Sequence, residues 1–304
     1  MKKIVCICFA FAAVNIFIGC ATIEDEVFIQ NAQVAGPLNQ PPVQVTTKDA
    51  QKKFIISSSM VTTNPKSYID NMSIILSDYN KLAKIDKHNW DKNNFGWSLP
   101  AYSAGIQFEL PLSKSASVTV GGNYSEVKNK DLLGGLLSFD LHGISGSVGV
   151  RYTIGLSYQE FYYDAYTYVI RKKTPYGGKT EESTYAFHDL NTDGLFNYYM
   201  MLTINSDIKN PPINAYIAIA FIKQRLLSFT PGTSVGQDVF LNNYISIDSR
   251  GSYSTEFISI SPGLFYTFNN SIRILCGVTL AFSLSGESDT RLFIAPSFKI
   301  DLIL

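Results

Sequence analysis

The sequence predicts an all-β fold, an antiparallel up-and-down transmembrane β-barrel of about ten strands, with a short amphipathic helix in the first external loop. Three observations lead there. Apolar residues recur at every second position over segments of about 11 to 15 residues, longer than soluble strands, whose mode is about 5 to 6. Such segments can cross a bilayer at a tilt, which takes about 9 to 11 residues. Brief links between them alternate with long ones, as in barrels that turn tightly on the periplasmic side and loop widely outside. Finally, 20 Phe and 18 Tyr accompany only 16% charged residues, the profile of strands that are apolar on one face only.

Residues 1–19 read as an export signal. Lys2 and Lys3 precede an apolar stretch from Ile4 to Ile18, broken by Asn15, that is shorter than the about 20 residues of a spanning helix. The stretch ends Phe17-Ile18-Gly19-Cys20-Ala21, which resembles the lipobox of bacterial lipoproteins, with Phe17 where that motif usually carries Leu. The resemblance implies cleavage before Cys20 and a covalent lipid on it. Ala21 in place of an aspartate implies sorting to the outer membrane. Cys6 and Cys8 leave with the signal and Cys276 alone remains a thiol, so no disulfide is expected in an oxidising compartment.

Residues 20–52 are acidic first (Glu24, Asp25, Glu26), then Pro- and Gln-rich (Pro37, Pro41, Pro42), with no apolar period. They are expected to form a flexible, lipid-anchored tether. Fully extended, it would reach roughly 100 Å and feed the barrel from the periplasm, leaving both termini there.

Residues 53–304 are expected to be the barrel. Candidate strands lie near 53–63, 101–112, 116–127, 140–153, 157–171, 196–207, 213–225, 253–268, 271–283 and 292–304. In the last of them Leu292, Ile294, Phe298, Ile300 and Leu302 share one face, and Ala295, Ser297, Lys299 and Asp301 the other, because strand side chains alternate. Asn269-Asn270 signals a hairpin turn. Further brief turns are expected at 112–116, 154–157 and 207–212, with long links at 64–100, 172–195 and 226–252. Ser57, Ser58 and Ser59 make the first strand poor, but single-chain bacterial barrels have even strand numbers, so it is kept. A soluble two-sheet sandwich also uses many strands, and strand length argues against it. After Asn64-Pro65, a helix start, Ile69, Met72, Ile75, Leu76, Tyr79 and Leu82 recur at helical spacing, predicting an amphipathic helix up to about Lys87.

The inner faces are assigned Glu109, Arg151, Glu160, Asp164, Glu256, Arg273, Lys299 and Asp301, a mixed set that favours a mutually paired network over a selective charged pore. Tyr158, Tyr162, Tyr166, Tyr168 and Tyr199 would fill much of so narrow a lumen. Trp90, Phe95 and Trp97 outside, with Tyr266 and Phe268 at the periplasmic end, would form interfacial belts.

Asp189-Leu190-Asn191-Thr192-Asp193-Gly194 resembles the opening of a calcium loop, but Met200 stands where the closing acid belongs, leaving Asp189, Asn191 and Asp193 a weak metal candidate. Asp86-Lys87-His88 resembles part of the Asp-x-His pair of omptin-like outer-membrane proteases, whose second acidic pair has no counterpart here. His142 and Ser145 would point to opposite faces of a strand, and His188-Asp189 would be a loop pair without a nucleophile.

No phosphate loop or zinc-spaced set is present, so no catalytic residue and no cofactor is assigned. Lys plus Arg equal Asp plus Glu at 25 each, so nothing draws nucleic acid. The expected partners are outer-membrane lipids and an external-loop partner. The expected role is structural, surface-binding or adhesive, exerted through the external loops. A narrow pore for small solutes is the alternative, and an outer-membrane hydrolase the third reading.

Overall fold

The computed structural model describes residues 21–63, 68–70, 83–85, 95–175, 177–208, 212–229, 251–284 and 292–304. Its strands are β1 (Ala21–Ala35), β2 (Ile55–Thr62), β3 (Tyr68–Asp70), β4 (Ala83–Ile85), β5 (Phe95–Ser98), β6 (Tyr102–Pro111) and β7 (Ala116–Val127). They continue as β8 (Lys130–Ser145), β9 (Val148–Pro175), β10 (Glu181–Ser206), β11 (Ile213–Phe229), β12 (Gly251–Phe268), β13 (Ile272–Ser283) and β14 (Leu292–Ile303). A 3-10 turn occupies Lys48–Ala50.

Ten of these strands close a barrel. β2 and β6 to β14 pair antiparallel in sequence order, and β14 returns to β2 through the register Ser297↔Val61 to Ile303↔Ile55. Within the wall, closure gives every barrel strand a paired neighbour on each side, the condition for backbone inside hydrocarbon.

The two faces of this wall differ as strand geometry requires. Ser117, Thr119, Thr153, Ser157, Thr203 and Ser259 point inward and are buried, whereas Leu137, Ile154, Leu156, Ile219 and Ile294 point outward and stay 47–57% exposed. In water each such half-exposed side chain would forgo about half of the roughly 1.5–3 kcal/mol that full burial gives. A continuous outer belt of them is stable only against lipid, so the barrel is a transmembrane one.

The ends of the barrel also differ. One, the tight-turn end, carries only brief links: residues 112–115, Gly146-Ser147, the Asp207 link and Asn269-Asn270, where both asparagines have positive φ, 45° and 57°, as a mirror-image hairpin turn demands. Leu304 donates its backbone N–H to Phe54 at the same end. At the other end lie the link from β2 to β6, the two-residue Lys128-Asn129 turn between β7 and β8, and a hairpin in which β9 and β10 rise past their neighbours, pairing from Val148↔Ser206 up to Lys173↔Glu181. Short turns mark the periplasmic side of such barrels and long connections the outside.

Several expectations need correcting. The turn expected at 154–157 lies inside β9. The chain reverses at Gly146-Ser147 instead, because Val148, Val150, Tyr152, Ile154 and Leu156 run on unbroken as one outward stripe. Gly155 serves as a seat for Tyr199, whose ring lies where a Cβ would be. The link expected over 172–195 is the paired upper part of β9 and β10, polar because water bathes both its faces.

The flexible tether is replaced by structure. Ala21–Ala35 is a strand, and residues 36–47 pass through the lumen, since barrel side chains satisfy their backbone. Ala21 is thereby at the long-connection end, not beside Leu304. The helix expected over 65–87 falls mostly outside the described residues, and its described parts, Tyr68–Asp70 and Ala83–Ile85, are strands.

Candidate functional site: a filled lumen

Gly36–Thr47 crosses the barrel interior. Pro37, Pro41 and Pro42 keep it extended and remove donors, so it adds no strand to the wall, yet its remaining backbone groups still require partners. Wall side chains supply them. Gln224 accepts from Asn39 N at 3.1 Å and donates to Pro37 O at 3.1 Å, and Asn205 accepts from Thr46 N at 2.9 Å and donates to Thr46 O at 3.0 Å. Each amide thus imitates a neighbouring strand. Asn39 donates to Ser157, Gln40 to Ser261 at 2.8 Å and Gln44 to Thr119 at 3.2 Å. Lys299 Nζ donates to Val43 O at 3.0 Å and Arg273 to Thr47 Oγ1 at 3.4 Å. Seven of the ten barrel strands, β7 and β9 to β14, therefore grip this segment.

The wall is shaped to admit it. A Cβ on Gly149 would come within 2.3 Å of Thr46 O, so glycine is required for the backbones to pass so closely.

Two buried charge nests sit toward the tight-turn end. In the first, Arg151 meets Asp140 with two nitrogens, each at 3.1 Å, and Glu109 at 3.0 Å, while Ser117 and Thr119 bond the two acids. In the second, Asp301 accepts from Arg273 at 2.6 and 2.7 Å, from Lys299 at 3.1 Å and from Ser57 at 2.8 Å. One nest holds two acids and one base, the other two bases and one acid. Buried charge persists only when paired and hydrogen-bonded, and each nest meets that condition.

The opposite mouth is apolar. Trp97 on β5, fully buried, packs on Phe257 at 5.3 Å and Phe293 at 5.9 Å between ring centres, with Val34, Leu99 and Phe161 in the same cluster. The expectation that Trp97 belongs to an interfacial belt is corrected, because β5 pairs with β1 and turns the indole into the lumen. Tyr266 and Phe268, 4.2 Å apart, stay together near the tight-turn end, and Trp90 lies outside the described residues.

Of the eight charges assigned to the inner face, Glu109, Arg151, Arg273, Lys299 and Asp301 form the nests. Three lie elsewhere. Glu160 shares the outward face of Tyr158 and accepts from Leu133 N at 2.8 Å. Glu256 pairs outward with Lys223 at 3.0 Å, and Asp164 meets His188 at 3.0 Å above the barrel. Asp140 was missed, although the alternation that places Leu137 and Phe139 outward places it inward.

Tyr199 and Tyr162 are buried, but Tyr158 faces outward against Phe196. The side chains of Tyr166 and Tyr168 lie outside those described. Asp189, Asn191 and Asp193 sit in the extended ladder of β10, opposite Ala165, Tyr163 and Phe161, so the loop that a calcium site needs does not form. His142 lies opposite Arg151 on β8, and Cys20 and Asp86-Lys87-His88 fall outside the described residues.

Fold and site together define a class: a closed ten-stranded transmembrane β-barrel whose lumen is filled by its own N-terminal segment. No protein-family model and no curated protein matches the chain. Among solved structures, the N-terminal β-barrel domain of Pseudomonas aeruginosa OprF aligns with 86% of this chain and 100% of its own, at 8% identity and a TM-score of 0.30. The Acinetobacter baumannii outer membrane protein Omp33 aligns over 84% and 100%, at 5% and 0.32. The CymD monoaromatic hydrocarbon channel aligns over 84% and 89%, at 7% and 0.27. At such scores the barrel stands on its own strand pairing.

Proposed function

We propose that this chain is an outer-membrane lipoprotein barrel, anchored through Cys20, with a structural or surface-binding role exerted by the sheet that β9, β10 and β1 raise beyond the wall. The observation that supports it is the filled lumen. A segment held by seven strands, with Lys299 and Arg273 of one charge nest among its partners, leaves the exterior as the working surface, and the role is one of binding, not catalysis. Planar-bilayer recordings of the purified protein test it. A silent membrane is expected, together with surface binding that disappears when the β9–β10 hairpin is shortened to Gln159 and Leu195 while heat-modifiable barrel migration persists. Reproducible current steps from the intact chain would overturn it.

A second reading, a narrow pore for small solutes, draws on one observation. Beside residues 37–43 the interior keeps a crevice walled by Ser59, Ser103, Gly105, Gln107 and Leu136, on a part of the wall that makes few bonds to the segment. Current steps that vanish in Gly105→Trp would favour it.

A further inference from the structure

We infer that this chain threads its own barrel outward, so that Ala21–Ala35 is displayed on the cell surface and anything attached ahead of Ala21 is carried to that side. The inference rests on the barrel orientation proposed above and goes beyond it by reversing the side on which the N-terminal segment emerges. Three observations carry it.

Bonds to the wall descend in chain order. Asn39 meets Ser157 and Gln224, well inside β9 and β11. Thr46 then meets Asn205, near the end of β10, and Lys48 N reaches Asp207 in the tight link beyond it at 3.1 Å. Lys53 Nζ follows at the Asn269-Asn270 turn, 3.5 Å from Asn270 O. Residues 37–53 therefore run from the mouth with long connections to the tight-turn end, and Ala35 enters at the former.

Above the wall, β1 takes the place that β8 vacates. β8 pairs with β9 up to Gln159, and β1 pairs with the same edge from Tyr162 to Pro175, through fourteen Cα partners. An edge strand left bare would recruit foreign strands, and β1 covers it.

The charges match by register. The basic run Arg171-Lys172-Lys173 of β9 stands between Asp25 and Glu24 of β1 on one side and Glu182 and Glu181 of β10 on the other: Asp25↔Arg171, Glu24↔Lys172, Glu182↔Lys172 and Glu181↔Lys173. Opposite charges at facing positions favour one pairing over its slipped alternatives.

Intact cells decide the matter through three epitopes placed one at a time: after Thr22, in the β9–β10 turn at Gly177, and in the Asn269-Asn270 turn. Antibody is expected to stain the first two on intact cells, and the third only after the outer membrane is permeabilised. If the Thr22 epitope alone is protected while the Gly177 epitope stains, the threading is wrong and the barrel reading stands. If the Asn269-Asn270 epitope stains and the other two do not, the orientation itself is wrong, and the inference falls with it. As a second measurement, Asn39→Cys with Ser157→Cys in a Cys276→Ser background is expected to form a disulfide that alters migration. Failure to cross-link in barrels that migrate as folded overturns the lumen path.

Discussion

At the tight-turn end the lumen is closed by Arg151, Arg273, Lys299 and the acids that hold them, whereas at the opposite mouth it is closed by Trp97, Phe257 and Phe293. Both ends are buried and both touch the crossing segment, yet they act by different physics. Charge fixes position through direction, since each nitrogen has one or two oxygens at bonding distance and no alternative that keeps the pair satisfied. Rings fix position through volume, with contacts that tolerate small shifts. A segment that must stay in register is thus locked at its lower end and packed at its upper end.

The comparison can be broken in order of expected size. Asp301→Ala leaves Arg273 and Lys299 buried without their shared acid and is expected to destabilise by about 3–5 kcal/mol. A lowered urea midpoint for the folded barrel checks it, and an unchanged midpoint would mean that water solvates the nest. Trp97→Ala empties the centre of the upper cluster at about 3 kcal/mol, and should lower the urea midpoint of the folded barrel without releasing Thr46 from Asn205; quantitative cross-linking between positions 46 and 205 measures the second part. Gly149→Val sets a side chain against Thr46 O and should displace the lower segment at about 2 kcal/mol, seen as new protease sensitivity within residues 36–47. Asn205→Ala removes two bonds to Thr46 and is expected to destabilise by about 1 kcal/mol, detectable as faster hydrogen exchange at Thr46 N with the barrel otherwise intact.

The wall was legible because its signal is local. Leu292 to Leu302 and Ile272 to Phe282 alternate against lipid regardless of what the lumen contains, and Asn269-Asn270 announces its turn by backbone preference alone. Errors arose where parity was not followed. Glu160 continues the outward stripe of Ile154, Leu156 and Tyr158, and Glu256 shares the face of Ile258 and Ile260, so the sequence itself held the information that both point out. Asp140 could have been found in the same way. No turn forms at 154–157, where Gly155 instead makes room for the ring of Tyr199.

Residues 36–47 were illegible for a different reason. They have no period, and proline-rich stretches without period look alike whether solvated or enclosed. Their partners Ser157, Asn205 and Gln224 lie 118 to 185 positions away, and small polar residues on an inner face would serve water as well as a peptide.

By itself, then, the sequence determined that ten strands alternate between lipid and a polar interior, because that rule acts between neighbours along one strand. Only the tertiary structure decided what fills the interior and at which end Ala21 emerges. Both depend on hydrogen bonds and strand pairings between residues far apart in the chain, which acquire a partner only after the sheet has closed.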